Sequence, residues 1–127
     1  NTSLGWHVDK DEKYFLDTKR YIMPTSGHIY YVESTNVEGG YLEISNLPNS
    51  EPPDIKKLER VQPLENRLIM FDPSNPHQVT KILSGKRRAF LANAWFKKPL
   101  TFKESENVSR ATNLGDVYWP NKFTEYK

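Results

Sequence analysis

Residues 65–96, ENRLIMFDPSNPHQVTKILSGKRRAFLANAWF, decide how this chain folds. A turn over residues 63–66 leads into residues 67–71, whose large apolar side chains read as a strand. DPSNP at 72–76 must be a turn, because its two prolines have no N–H to give to a ladder. Residues 77–83 and 88–96 then read as two strands of a hairpin around Ser84-Gly85-Lys86. Strands this short, separated by turn signals, point to an all-β sandwich, barrel or jelly roll with minor helix.

Working outward, GHIYYVE at 27–33 is a strand rich in β-branched and aromatic residues. Residues 34–38 read as a polar turn, and Gly39-Gly40 as a tight connection into a strand at 41–45. The segment 46–54 carries three prolines and reads as loop, while 55–60 fits a short helix or an edge strand. At the start, 4–8 reads as a short strand that places His7 and Asp9 on one face. The charged and aromatic stretch 10–25 reads as a loop or helical turn over the mouth of a site, ending at Pro24. The expected organisation is one domain over 1–127, with a core at 4–96 and an extension at 97–127 that wraps the sheet.

Composition narrows the function. The 18 basic and 16 acidic residues give a formal charge of +2, so nothing global calls for nucleic acid or an anionic membrane. No cysteine is present, which removes disulfides, thiolate zinc sites and a Cys nucleophile, and fits a reducing, cytoplasmic setting. No apolar run approaches the roughly 20 residues that span a bilayer, and no signal-peptide pattern opens the chain. The expected substrate is a peptide or a small molecule; oligomeric state is not legible.

The chemistry-bearing residues are few. His7-Val8-Asp9 alone is a weak signal, and a surface pair is its ordinary reading. His77, 70 positions on and at the head of a strand, changes the balance, because the three side chains can converge from neighbouring strands. Two imidazoles and one carboxylate form the facial ligand set of non-haem Fe(II) sites, although Zn, Mn, Co and Ni suit the same atoms. Gly85-Lys86-Arg87 then puts an arginine ten residues after His77. Period two groups Arg87 with Ala89, Leu91, Asn93 and Trp95 on one face, and Arg88 with Phe90, Ala92 and Ala94 on the other. An arginine inside a barrel needs an anion, and the planar fork suits a carboxylate. Arg87 is the favoured pocket residue, and a bulge in the turn would exchange it with Arg88.

These residues resemble the iron- and 2-oxoglutarate-dependent dioxygenases, and within them the prolyl 4-hydroxylase-like group. The match runs in family order from His7-Val8-Asp9 through Ile29-Tyr30-Tyr31, Gly39-Gly40-Tyr41-Leu42, Arg67-Leu68 and Phe71. It continues with Asn75-Pro76-His77-Gln78-Val79, Gly85-Lys86-Arg87 and Trp95-Phe96, so it covers residues 5–96. The resemblance implies a double-stranded β-helix, a cupin-like jelly roll, with Fe(II) on His7, Asp9 and His77. It implies that Arg87 pairs with the distal carboxylate of 2-oxoglutarate, helped by Tyr31, with Leu42 as an apolar wall; Asn93 and Trp95, which period two puts on the face of Arg87, are expected to line the same pocket. O2 is the further co-substrate, and ascorbate the expected reductant.

The implied reaction couples conversion of 2-oxoglutarate to succinate and CO2 with hydroxylation of an aliphatic C–H, the expected target being a peptidyl proline. The interval between Asp9 and Tyr31 is longer than in close members of that group, so substrate selection there is open. A free amino acid or other small metabolite is the alternative substrate, and a non-catalytic cupin-like metal- or ligand-binding module the alternative class. Asp9 argues against a halogenase, and Asn93 and Ala94 stand where nucleic-acid demethylases carry a second arginine.

Overall fold

The structure, a computed structural model, describes residues 4–45 and 57–100. The chain runs β1 (Leu4–His7), α1 (Glu12–Thr18), β2 (Ser26–Gly39), β3 (Leu42–Ser45), β4 (Leu58–Val61), β5 (Leu68–Phe71), β6 (His77–Val79) and β7 (Ile82–Ala94). Two antiparallel sheets result, one ordered β1-β6-β3-β4 and the other β5-β2-β7. Strands adjacent in sequence mostly belong to opposite sheets, so the chain winds between two layers as a double-stranded β-helix, or jelly roll.

The core lies between the layers. Ile29 and Tyr31 of β2 and Ile69 of β5 face Leu42 and Ile44 of β3, with Val61, Phe71, Val79 and Ala89 packed against them. Alternation along β2 produces this arrangement: Gly27, Ile29 and Tyr31 are buried, while Tyr30 and Val32 stay exposed.

The expected hairpin over 77–83 and 88–96 does not form. β6 pairs with β1 and β3, while β7 runs unbroken through Ser84-Gly85-Lys86 and pairs with β2 in the other sheet. The reason is length. β2 extends to Gly39, so the stretch expected as a polar turn at 34–38 is strand, and it gives β7 a partner along its whole course. Gly85 is a bulge site with φ of 81°, set opposite the positive-φ Asn36, and not a hairpin turn. The tight connection expected at Gly39-Gly40 is present. Both residues have positive φ, 80° and 68°, as the chain turns from one sheet into the other.

Two open readings resolve. Leu58–Val61 is an edge strand, and residues 10–25 contain a seven-residue helix. Asp11 caps that helix by accepting from Tyr14 N at 2.9 Å, and Lys19 ends it in the left-handed region. The loop expected at 46–54 and most of the 97–127 extension lie outside the described residues.

Candidate metal centre

β1 and β6 are neighbours, and His7 and His77 are direct partners across that ladder. Their rings lie 4.3 Å apart between centroids. Asp9 follows β1 by two residues; it is not in the strand, and its N–H donates to Pro73 O at 3.0 Å. That bond ties it to the 72–76 turn, which is itself built on Asp72: Ser74 N and Oγ both donate to Asp72 Oδ1. The same turn delivers His77, whose ring meets the Phe71 ring edge-on at 4.9 Å. A proline-rich loop and two strand ends thus position all three side chains.

The imidazoles are oriented alike. His7 Nδ1 lies 2.6 Å from Gly5 O, and His77 Nδ1 lies 2.8 Å from Asn75 O. A carbonyl only accepts, so each Nδ1 carries the hydrogen and each Nε2 presents a lone pair. Those Nε2 atoms sit 3.5 and 3.4 Å from the same oxygen, Asp9 Oδ1. His7 Nε2 and Asp9 Oδ1 are buried with no hydrogen-bond partner. One ligand atom from each of the three buried residues lies within 4.8 Å of the others. Buried lone pairs converging on one point are unfavourable unless a cation satisfies them. The donor set, two imidazole nitrogens and a carboxylate oxygen, fits Fe(II) and leaves coordination positions open.

The second group lies on the facing strands. Tyr31 is fully buried, and its hydroxyl has no hydrogen-bond partner. Burial pushes the phenol up from its ordinary value, against the pull of Arg87 and Arg67. The Arg87 guanidinium lies 5.8 Å from the Tyr31 ring centroid, and its Nη1 donates to Gly40 O at 3.3 Å. Arg88 instead points out, pairing with Glu33 at 2.7 Å. Alternation along β7 decides this: Tyr31 pairs with Ala89 on the inner face, and Arg88, the next residue, faces the other way. An extra residue on β2, Val32, makes Glu33 the partner that Arg88 meets there. Leu42 is completely buried beside this group, and Trp95 is half-buried just beyond the end of β7. The third histidine, His28, lies 3.2 Å through Nδ1 from Ala92 O and is absent from the triad.

Asn93 is brought to the candidate ligand Asp9. Its Nδ2 donates to Asp9 Oδ2 at 2.9 Å. Sequence reasoning also missed three buried charged residues after Asp9. Lys10 Nζ lies 3.1 Å from Glu12 Oε1, and Asp11 Oδ2 accepts from Leu100 N at 2.8 Å. Only Asp11 carried a legible signal, an Asp immediately before a helix-forming run. Lys10 and Glu12 look like solvated charges in sequence.

No curated protein and no solved structure matches the chain. A family model described as the 2OG-Fe(II) oxygenase superfamily matches residues 1–97. That match takes in every strand described above, and its cofactor chemistry is the one the His7, Asp9 and His77 donors fit. The chain belongs to the 2OG-Fe(II) oxygenase superfamily and is thereby a dioxygenase dependent on Fe(II), 2-oxoglutarate and O2.

Proposed function

We propose that this dioxygenase hydroxylates an aliphatic C–H of a proline within a peptide, with His7, Asp9 and His77 holding the iron. The convergence of three buried ligand atoms carries the reading. Fe(II) held there would supply, with O2, the oxidising power, and 2-oxoglutarate would be converted to succinate and CO2. The protein's part is position and exclusion of water. Arg87 offers its fork to the distal carboxylate of 2-oxoglutarate, and the Tyr31 hydroxyl, which lacks a partner, donates to the same group. Leu42 and Trp95 wall that pocket. Ascorbate serves as reductant for the iron.

Support for proline comes from the resemblance of residues 5–96, read from the sequence, to the prolyl 4-hydroxylase-like group. The near-neutral charge favours a peptide over nucleic acid.

Anaerobic protein titrated with Fe(II) and 2-oxoglutarate should develop the visible charge-transfer band of the chelate, and Asp9→Ala should not. Bound metal without a band would sink the co-substrate assignment. Proline-containing peptides and free amino acids are then compared for succinate release and hydroxylated product. Turnover of free amino acids alone would overturn the peptide assignment and leave the dioxygenase intact.

A further inference from the structure

Asp9 presents its two oxygens to different neighbours. Oδ1 faces the Nε2 atoms of His7 and His77, while Oδ2 accepts from Asn93 Nδ2 at 2.9 Å. The donor comes from the opposite sheet, 84 residues away in sequence. Its place is built in. Asn93 is the cross-strand partner of Gly27, and a Cβ on Gly27 would lie 3.2 Å from Asn93 Oδ1 and 2.9 Å from the Phe71 ring. The missing side chain at Gly27 therefore leaves room for both the residue that holds Asp9 and the ring that packs on His77.

We propose that Asn93 is a positioning residue that keeps Asp9 a one-oxygen ligand, holding Oδ2 away from the metal. The inference rests on the metal-centre reading above. A carboxylate free to rotate can bind a cation through both oxygens and fill a position that the co-substrates need. A hydrogen bond to the second oxygen prevents that and fixes the first. Partners of this kind, one shell out from the metal, typically alter affinity 10–100-fold. Asn93 lies on β7 in phase with Arg87, so one strand sets both the carboxylate and the arginine beside Tyr31.

The test uses Co(II) as a spectroscopic probe, with equilibrium dialysis for affinity and visible absorption for coordination. Asn93→Ala and the near-isosteric Asn93→Leu are compared with wild type, each checked for retained fold by circular dichroism. Two variants of different volume guard against one of them failing to fold. Both should bind Co(II) on the order of 10–100-fold more weakly and show an altered visible band as the coordination number changes. Wild-type affinity, or a wild-type band, in the folded variants overturns the proposal. Absence of Co(II) binding by the wild-type protein would instead refute the metal centre itself.

Discussion

Arg87→Ala separates the two adjacent arginines by function. The Arg87 guanidinium is half-buried over the Tyr31 ring, with one long bond of 3.3 Å to Gly40 O, so most of its fork remains for an anion. A hydrogen bond to a charged group contributes about 1.5–3 kcal/mol. At about 1.4 kcal/mol per tenfold, its loss raises the Kd for 2-oxoglutarate by roughly 10–150-fold. Arg88 is 68% exposed through its side chain and engaged with Glu33 at 2.7 Å. Exposed pairs of that kind contribute about 0–1 kcal/mol to stability, and nothing here links Arg88 to the pocket, so Arg88→Ala should leave the Kd within about twofold. Tyr31→Phe removes another donor to the charged carboxylate, worth about 1.5–3 kcal/mol, and should also raise the Kd by roughly 10–150-fold. The assay is the anaerobic 2-oxoglutarate titration of Fe(II)-loaded protein, which needs no prime substrate, with iron binding measured alongside. An Arg87→Ala protein that binds iron and retains the wild-type Kd would refute the reasoning. So would the larger effect appearing in Arg88→Ala.

Two further outcomes follow from packing and burial. Gly27→Ala forces a methyl to within 2.9 Å of Phe71 and 3.2 Å of Asn93 Oδ1, and overpacking of this kind costs about 1–3 kcal/mol; urea unfolding should show the loss, and an unchanged midpoint would contradict the close approach. Burial pushes the Glu12 carboxyl above its ordinary 4.5, against the pull of Lys10. The folded state then holds the proton more tightly than the unfolded one, so this group lowers stability as pH rises from about 4.5 through its raised value. Unfolding free energies of wild type and Glu12→Gln, compared between pH 4.5 and neutrality, should diverge in favour of the variant; a pH-independent difference would remove Glu12 as the source.

Sequence and structure agree where local chemistry dominates. The strand around Ile29 and Tyr31, the Asp72–Pro76 turn and the Gly39-Gly40 connection are written in β-branched residues, prolines and paired glycines. They diverge at residues 77–96, where a Ser-Gly-Lys sequence fits a hairpin turn equally well as a bulge. Only the length of β2, which continues through polar residues 34–38, favours the bulge by offering β7 a continuous partner. Leu68-Ile69-Met70-Phe71 shows the same limit. All four are apolar, so no alternation marks the inner face, yet Ile69 is buried and Met70 is 66% exposed.

What the sequence offered by itself was the candidate ligand set: His7, Asp9 and His77 stand out in kind and order, and their chemistry limits what they can bind. It also determined the inward phase of Arg87 with Asn93, since period two holds along β7 beyond its bulge. Tertiary structure decided the rest. The pairing of Arg88 with Glu33 depends on an extra residue in a different strand, and the Asn93 bond to Asp9 joins β7 to the loop that follows β1. The burial of Lys10 and Glu12 follows from what packs around them, because a short charged stretch carries no mark of its own depth. Local pattern fixes which side chains share a face; which face meets which, and with what hydrogen bond, exists only once the two sheets have closed on each other.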